Sequence, residues 1–168
     1  MMLIGRIFKE GGGWSAHCEI VGVWTQGPTR KEAAENLAEA VELRVNRRGF
    51  KAKVTKLGAP GDEAVLIEPS EPALLAARVL RYQRERNQLS LADVERAIGV
   101  SNGSTYASYE QGQCEPSLTT FCELLAVVAP NMAVTVRPRV PSSTPKRKAS
   151  RESVRRRRAG RGPKSATT

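Results

Sequence analysis

Histidine and cysteine are scarce in this chain. His17 is the single histidine, and Cys18, Cys114 and Cys122 lie far apart with no CxxC spacing. That scarcity argues against a Cys/His metal site and predicts reduced, mostly buried thiols. Aromatic residues make up only 5% of the 168, which suits small domains better than one large core. No apolar run approaches the roughly 20 residues a membrane-spanning helix needs. Met1 is not followed by a charged and then apolar leader, so a cytoplasmic protein without a membrane partner is expected.

Acidic charge is nearly missing from one end. Residues 137–168 hold twelve Lys and Arg against one Glu, whereas the rest of the chain carries 15 basic and 16 acidic groups. The net charge of +10 therefore belongs to the tail. The tail segments PSSTPKRKAS, RESVRRRRAG and RGPKSATT offer almost nothing apolar to bury, so residues 137–168 are expected to be disordered. Such a tail attracts polyanions, nucleic-acid phosphates first among them. A solubilising tail with no partner is the plainer alternative.

What the sequence does contain is most distinctive from Leu89 to Ser117, LSLADVERAIGVSNGSTYASYEQGQCEPS. Ser90 and Asp93 have the spacing of a reciprocal cap, and Val94, Ala97 and Ile98 fall on one face of the helix that follows. Gly99 ends that helix. A second helix starts near Ser101 or Ser104, buries Tyr106 and Tyr109, and is closed by Gly112 with Pro116 beyond. Between them only Val100 and a serine remain, a turn that permits only a fixed, angled helix pair.

From about Leu74 to Val128 the chain resembles the Cro/C1-type (XRE) helix-turn-helix domain. Gly99, Val100, Ser101, Ser104, Thr105, Tyr106, Tyr109, Glu110, Gly112, Pro116 and Ser117 stand in that family's order. One residue is inserted at Asn102-Gly103, and Leu91 stands where many members carry a phosphate-touching glutamine. The resemblance implies that Glu110 is structural, that Tyr106 and Tyr109 are core, and that Asn102, Gly103, Ser104, Thr105 and Ser108 face DNA. None of these five is basic, so the common arginine-to-guanine contact is unavailable from the reading helix, although Asn102 suits adenine. In the preceding helix, opened by Pro72, Leu74, Leu75, Val79, Leu80 and Tyr82 are expected to be buried. Arg78, Arg81, Arg84 and Arg86 are expected on the other side, where the first three can grip backbone phosphates. The alternative is a fold retained for dimerisation or protein docking without DNA affinity. Leu118, Phe121, Leu124, Leu125 and Val128 predict a last core helix, and Met132, Val134 and Val136 a short strand.

The first seventy residues read differently. An apolar segment through Leu3, Ile4, Ile7 and Phe8 is followed by Glu10-Gly11-Gly12-Gly13 and then by alternation at Trp14, Ala16, Cys18 and Ile20, a hairpin signature. Val21, Val23 and Trp24 suggest a third strand. Thr29 can cap a helix from Arg30 to about Asn46 with Ala33, Ala34, Leu37, Val41 and Leu43 to Val45 at helical spacing. Arg44, Arg47 and Arg48 sit where the helix dipole favours cations, and Gly49 is expected to end the helix. Phe50, Ala52, Val54 and Leu57 predict a fourth strand, followed by Ala64-Val65-Leu66-Ile67.

Thr25-Gln26-Gly27, the cap Thr29, and Glu32-Ala33, Asn36-Leu37, Glu39-Ala40 and Glu42-Leu43 at their spacings resemble the HicB antitoxin domain. The Tyr106 to Gly112 run is similar to the helix-turn-helix appended to many HicB proteins. The resemblance implies a partial ribonuclease H-like α+β fold and, as partner, a small HicA-type RNA-cleaving toxin whose active surface is covered. Ribonuclease H chemistry needs carboxylates clustered around Mg²⁺. Glu10 and Glu19 near the hairpin and Asp62 in a loop make no such cluster, and His17 has no nucleophile or orienting carboxylate at a useful spacing.

The sequence thus predicts an α+β domain with an antiparallel sheet and one helix over residues 1–69, an all-α helix-turn-helix domain over 70–136, and the basic tail. The expected function is a non-catalytic antitoxin and repressor of its own operon, with no cofactor or metal, acting as a homodimer or higher homo-oligomer. Trp14, His17, Trp24 and Gln26 are the residues expected to meet the toxin. The alternative is an XRE-family transcriptional regulator whose first domain docks a non-toxin partner or ligand.

Overall fold

The computed structural model describes residues 1–57, 61, 63–99 and 105–135. The hairpin forms as expected, with β1 (Leu3–Glu10) antiparallel to β2 (Gly13–Cys18) and Glu10 opposite Gly13. Its two-residue loop places Gly11 at φ 55° and Gly12 at φ 89°, the left-handed pair that a type I′ hairpin requires. Ile20 does not extend β2. Glu19–Val21 form a 3₁₀ turn closed by Gly22 at φ 63°, and β3 (Val23–Gly27) returns antiparallel to β2.

Helix α1 (Arg30–Val45) is opened by a reciprocal cap: the Thr29 Oγ1 accepts from the Glu32 N–H at 3.2 Å, and the Glu32 carboxylate accepts from the Thr29 N–H at 3.2 Å. Asn46 at φ 51° ends it, three residues before the expected Gly49. Asparagine tolerates the left-handed region well enough to serve there. Leu43, expected on the apolar stripe, is 72% exposed. Strands β4 (Ala52–Lys56) and β5 (Ala64–Pro69) complete a five-stranded antiparallel sheet in the order β3-β2-β1-β5-β4.

Alternation then divides the sheet. Leu3, Ile7, Ala16, Cys18, Val23, Val65 and Ile67 are buried in one core with Ala33, Leu37 and Val41 of α1. Gly27 allows the close approach, because a Cβ there would lie 2.7 Å from the Ala33 backbone nitrogen. On the opposite face, Ile4, Arg6, Phe8, Ser15, His17, Trp24, Gln26 and Leu66 are exposed or half-buried.

The second half is helical. Helix α2 (Pro72–Arg86) starts with proline at its first position, where the missing N–H has no intrahelical partner to lose. Helix α3 (Leu91–Ile98) carries the predicted Ser90/Asp93 capping box and stops at Gly99, φ 72°. Its buried pair is Val94 and Glu95, with Ala97 on the surface. Helix α4 (Thr105–Glu110) and helix α5 (Leu118–Val128) follow, the latter with the Ser117 hydroxyl accepting from the Thr120 N–H at 3.1 Å. Phe121, Leu124, Leu125 and Val128 are buried, but Leu118 is 70% exposed. Met132 to Thr135 form no strand, contrary to expectation, and Val136 lies outside the described residues.

Residues 1–136 form one compact unit. Tyr82 packs against Gly22, Gln83 donates from Nε2 to the Ile20 carbonyl at 2.8 Å, and the Arg44 guanidinium lies 4.9 Å from the Tyr82 ring centre. Of the thiols, Cys18 is buried as expected, whereas Cys114 and Cys122 are exposed; all three are free. Burial pushes the Cys18 thiol up to about 12 against weaker opposing backbone hydrogen bonds. Among the described residues, no helix is long and apolar enough to cross a membrane, and no group of three His, Cys, Asp or Glu side chains is placed to hold a metal.

Candidate nucleic-acid interface

The helix pair is oriented from within by one ion pair. Arg84, in the last turn of α2, donates from Nε and Nη2 to both carboxylate oxygens of Glu110, at 2.7 and 2.9 Å, and from Nη1 to the Leu89 carbonyl at 2.8 Å. The two side chains are 15% and 6% exposed. A planar guanidinium with all three nitrogens engaged fixes α4 against both the end of α2 and the entry to α3. Tyr106 is fully buried beside this pair, and burial, then the Glu110 carboxylate, raise its phenol above the usual range. At the same end of α2, the C-cap Asn87 amide donates to the Val128 carbonyl at 2.6 Å and ties α2 to α5.

Of the three α2 arginines expected to grip phosphate, this geometry turns Arg84 away from that role. Arg84 does not face phosphate; its donors point inward at Glu110 and Leu89. Arg81 is exposed but holds Glu85 at 2.8 Å, one turn along the helix. Arg78 is half-buried, and its Nε is enclosed without a hydrogen-bond partner. Asn102, Gly103 and Ser104 lie outside the described residues, as does the turn through Val100 and Ser101. Thr105 and Ser108 are half-buried on α4, three residues apart. Leu91, in the place of the phosphate-touching glutamine, is 38% exposed at the first position of α3, where it offers apolar surface and no donor.

The structure also brings basic groups here that the sequence reading assigned only to a helix dipole. Arg47, just past α1, donates from Nη2 to the Gln111 carbonyl at 2.6 Å. With Arg44, Arg78 and Arg81 it surrounds a cleft of about 470 Å³ between the end of α1, α2 and the end of α4. The run Arg44, Arg47, Arg48 was the available signal, but only the fold shows that it meets another helix.

The four residues expected to meet a partner separate onto two faces. His17 and Trp24 are cross-strand neighbours whose rings lie 4.2 Å apart at 30°, and Phe8 meets His17 edge-on at 5.8 Å. Trp24 is 65% exposed, and Gln26 is exposed on the same side. Trp14 faces the other way: it packs against the core, with the Arg30 guanidinium 5.8 Å from its ring centre. An exposed tryptophan stacked on a histidine presents flat apolar area beside polar edges, the chemistry enriched at the centre of protein interfaces.

A family model described as a helix-turn-helix domain matches residues 75–129, which span α2 to the end of α5. Those residues form a Cro/C1-type helix-turn-helix domain, and the domain supports DNA binding and transcription regulation. No curated protein and no solved structure matches the chain. The family match begins at Leu75 and does not reach the sheet.

Proposed function

We propose that this chain is an antitoxin and autorepressor, in which the helix-turn-helix binds operator DNA and the outward face of the sheet binds and occludes a HicA-type RNA-cleaving toxin. The observation that carries the reading is the Trp24, His17 and Phe8 cluster, an aromatic surface in the same compact unit as a DNA-binding domain. The Thr25-Gln26-Gly27, Thr29 and α1 pattern supports the choice of partner through its resemblance to the HicB domain. Occlusion needs no catalytic group in the inhibitor, only a complementary surface large enough to exclude RNA.

Repression by one such module is weak, because the reading positions from Asn102 to Ser108 carry no cationic side chain. Two copies on half-sites about one helical turn apart add their contacts, so a two-fold repeated operator and a dimer are expected. The test is to co-express the full chain with the product of the adjacent reading frame. Copurification, relief of growth arrest and loss of both with W24S are the expected results. A folded chain that protects its upstream DNA yet neither copurifies with the neighbouring product nor relieves its toxicity overturns the antitoxin half. Protection of a single unrepeated half-site overturns the dimeric half.

A further inference from the structure

The cleft between α1, α2 and α4 has more positive charge than the protein neutralises. Arg44, Arg47, Arg78 and Arg81 line it. Of the two carboxylates whose charge acts on Arg78, Glu110 has both oxygens bound by Arg84, and Glu85 is held by Arg81. Arg44 uses Nε on the Val21 carbonyl and Arg47 uses Nη2 on the Gln111 carbonyl, so both guanidiniums are fixed in place by one nitrogen while retaining their charge. Arg78 has the least compensation. Its Nε is buried without an acceptor, and burial, followed by the charge of Arg44, holds its guanidinium below the usual arginine range.

Like charges in a half-buried space repel one another, and water screens that repulsion poorly. One anion with several acceptor oxygens, met by the guanidiniums that line the cleft, relieves that repulsion. Guanidiniums present N–H groups in a fork that matches phosphoryl oxygens, and such charge-assisted bonds are among the stronger ones available. At about 470 Å³ the space falls within the size range of small-molecule sites.

We propose that this cleft is an oxyanion site that takes a phosphoryl group, with Arg78 and Arg47 as its principal donors. The site joins the sheet half to the helix-turn-helix half, since Arg44 and Arg47 come from the end of α1 and Gln111 follows α4. The phosphoryl group belongs either to a free phosphorylated small molecule or to the backbone of DNA bound by the adjacent domain. The inference is independent of whether the sheet binds a toxin.

The experiment uses the full chain, so the basic tail contributes equally to every variant compared. Inorganic pyrophosphate is titrated at constant ionic strength while the Arg78 Nε–H resonance is followed by NMR, and DNA affinity is measured against salt for wild type, R78K and R47M. A saturable shift of that resonance, with pyrophosphate affinity about tenfold weaker in each variant and unchanged DNA salt slopes, supports a free phosphorylated ligand. A salt slope that flattens by about one in R47M but not in the charge-conserving R78K, with the resonance moved by DNA, supports a backbone phosphate. If a variant fails to fold, the wild-type resonance still decides. The proposal is overturned when neither pyrophosphate nor DNA moves the Arg78 resonance and folded variants bind both as wild type does.

Discussion

Removing either partner of the Arg84–Glu110 pair tests whether the helix-turn-helix is held together from inside. In E110A the Arg84 guanidinium, 15% exposed, loses two of its three acceptors and keeps only the Leu89 carbonyl. Stranding one member of a buried ion pair costs about 3–5 kcal/mol, and the residual exposure of Arg84 together with its remaining bond favours the lower figure. For a compact unit of this size, about 3 kcal/mol lowers the melting temperature by about 10 °C. R84M should cost a similar amount, because Glu110 then lies buried without its guanidinium partner. The double variant R84M/E110A removes both charges at once and should cost about 1.5–3 kcal/mol less than the sum of the two singles. Chemical denaturation of the four proteins measures this directly. If the double variant equals the sum within about 0.5 kcal/mol, the two groups are not coupled and the account of how α4 is oriented is wrong.

Gly22→Ala should destabilise by about 2–4 kcal/mol, because the residue must hold a positive φ and its new Cβ would lie 2.2 Å from the Tyr82 ring; in a Tyr82→Ala background most of the packing part of that penalty should disappear. Alkylation of the native protein followed by mass spectrometry should label Cys114 and Cys122 quickly and Cys18 only on unfolding, and two-thiol labelling that proceeds to three without unfolding would refute the burial argument. Because the folded Cys18 thiol is raised from 9.0 to about 12, its contribution to stability is complete below pH 9.0 and should fall as pH rises through that interval, a loss that Cys18→Ala should abolish. Deleting residues 141–168 removes ten basic groups and one acidic one, so non-specific DNA affinity should drop and its salt dependence flatten while operator preference survives; an unchanged salt slope would make the tail a bystander.

The features legible in the sequence were those decided within a few residues. The Gly11-Gly12 hairpin, the Thr29 and Ser90 capping boxes, Pro72 at the start of α2 and Gly99 at the end of α3 each depend on local backbone chemistry that residue type announces. Side-chain assignments failed where the deciding partner is distant in sequence. Arg84 shares its helix and spacing with Arg78 and Arg81, and nothing local separates an arginine destined for Glu110, 26 residues later, from one left at the surface. Alternation within β2 already set Trp14 on the face of Ala16 and Cys18, whereas the opposite placement of Trp24, beside His17, follows from the pairing of β2 with β3, which the single strand does not reveal. Arg47 gave a signal, but its acceptor at Gln111 lies 64 residues away.

The placement of these groups bears on how the two halves communicate. Trp24 and His17 occupy the sheet face opposite the α1-packed core, so a partner seated there does not itself touch Arg44, Arg47 or Tyr82. A ligand changes a distant equilibrium only through contacts that differ between its two states. Occupancy of the aromatic face alone therefore gives no reason for α4 to move. The arginine cleft is different, because its walls include both the end of α1 and the end of α4, and an anion bound there contacts both halves directly. On the reading proposed above, partner binding and DNA binding are separable activities of one compact unit, and the proposed anion cleft is where a third ligand would link them.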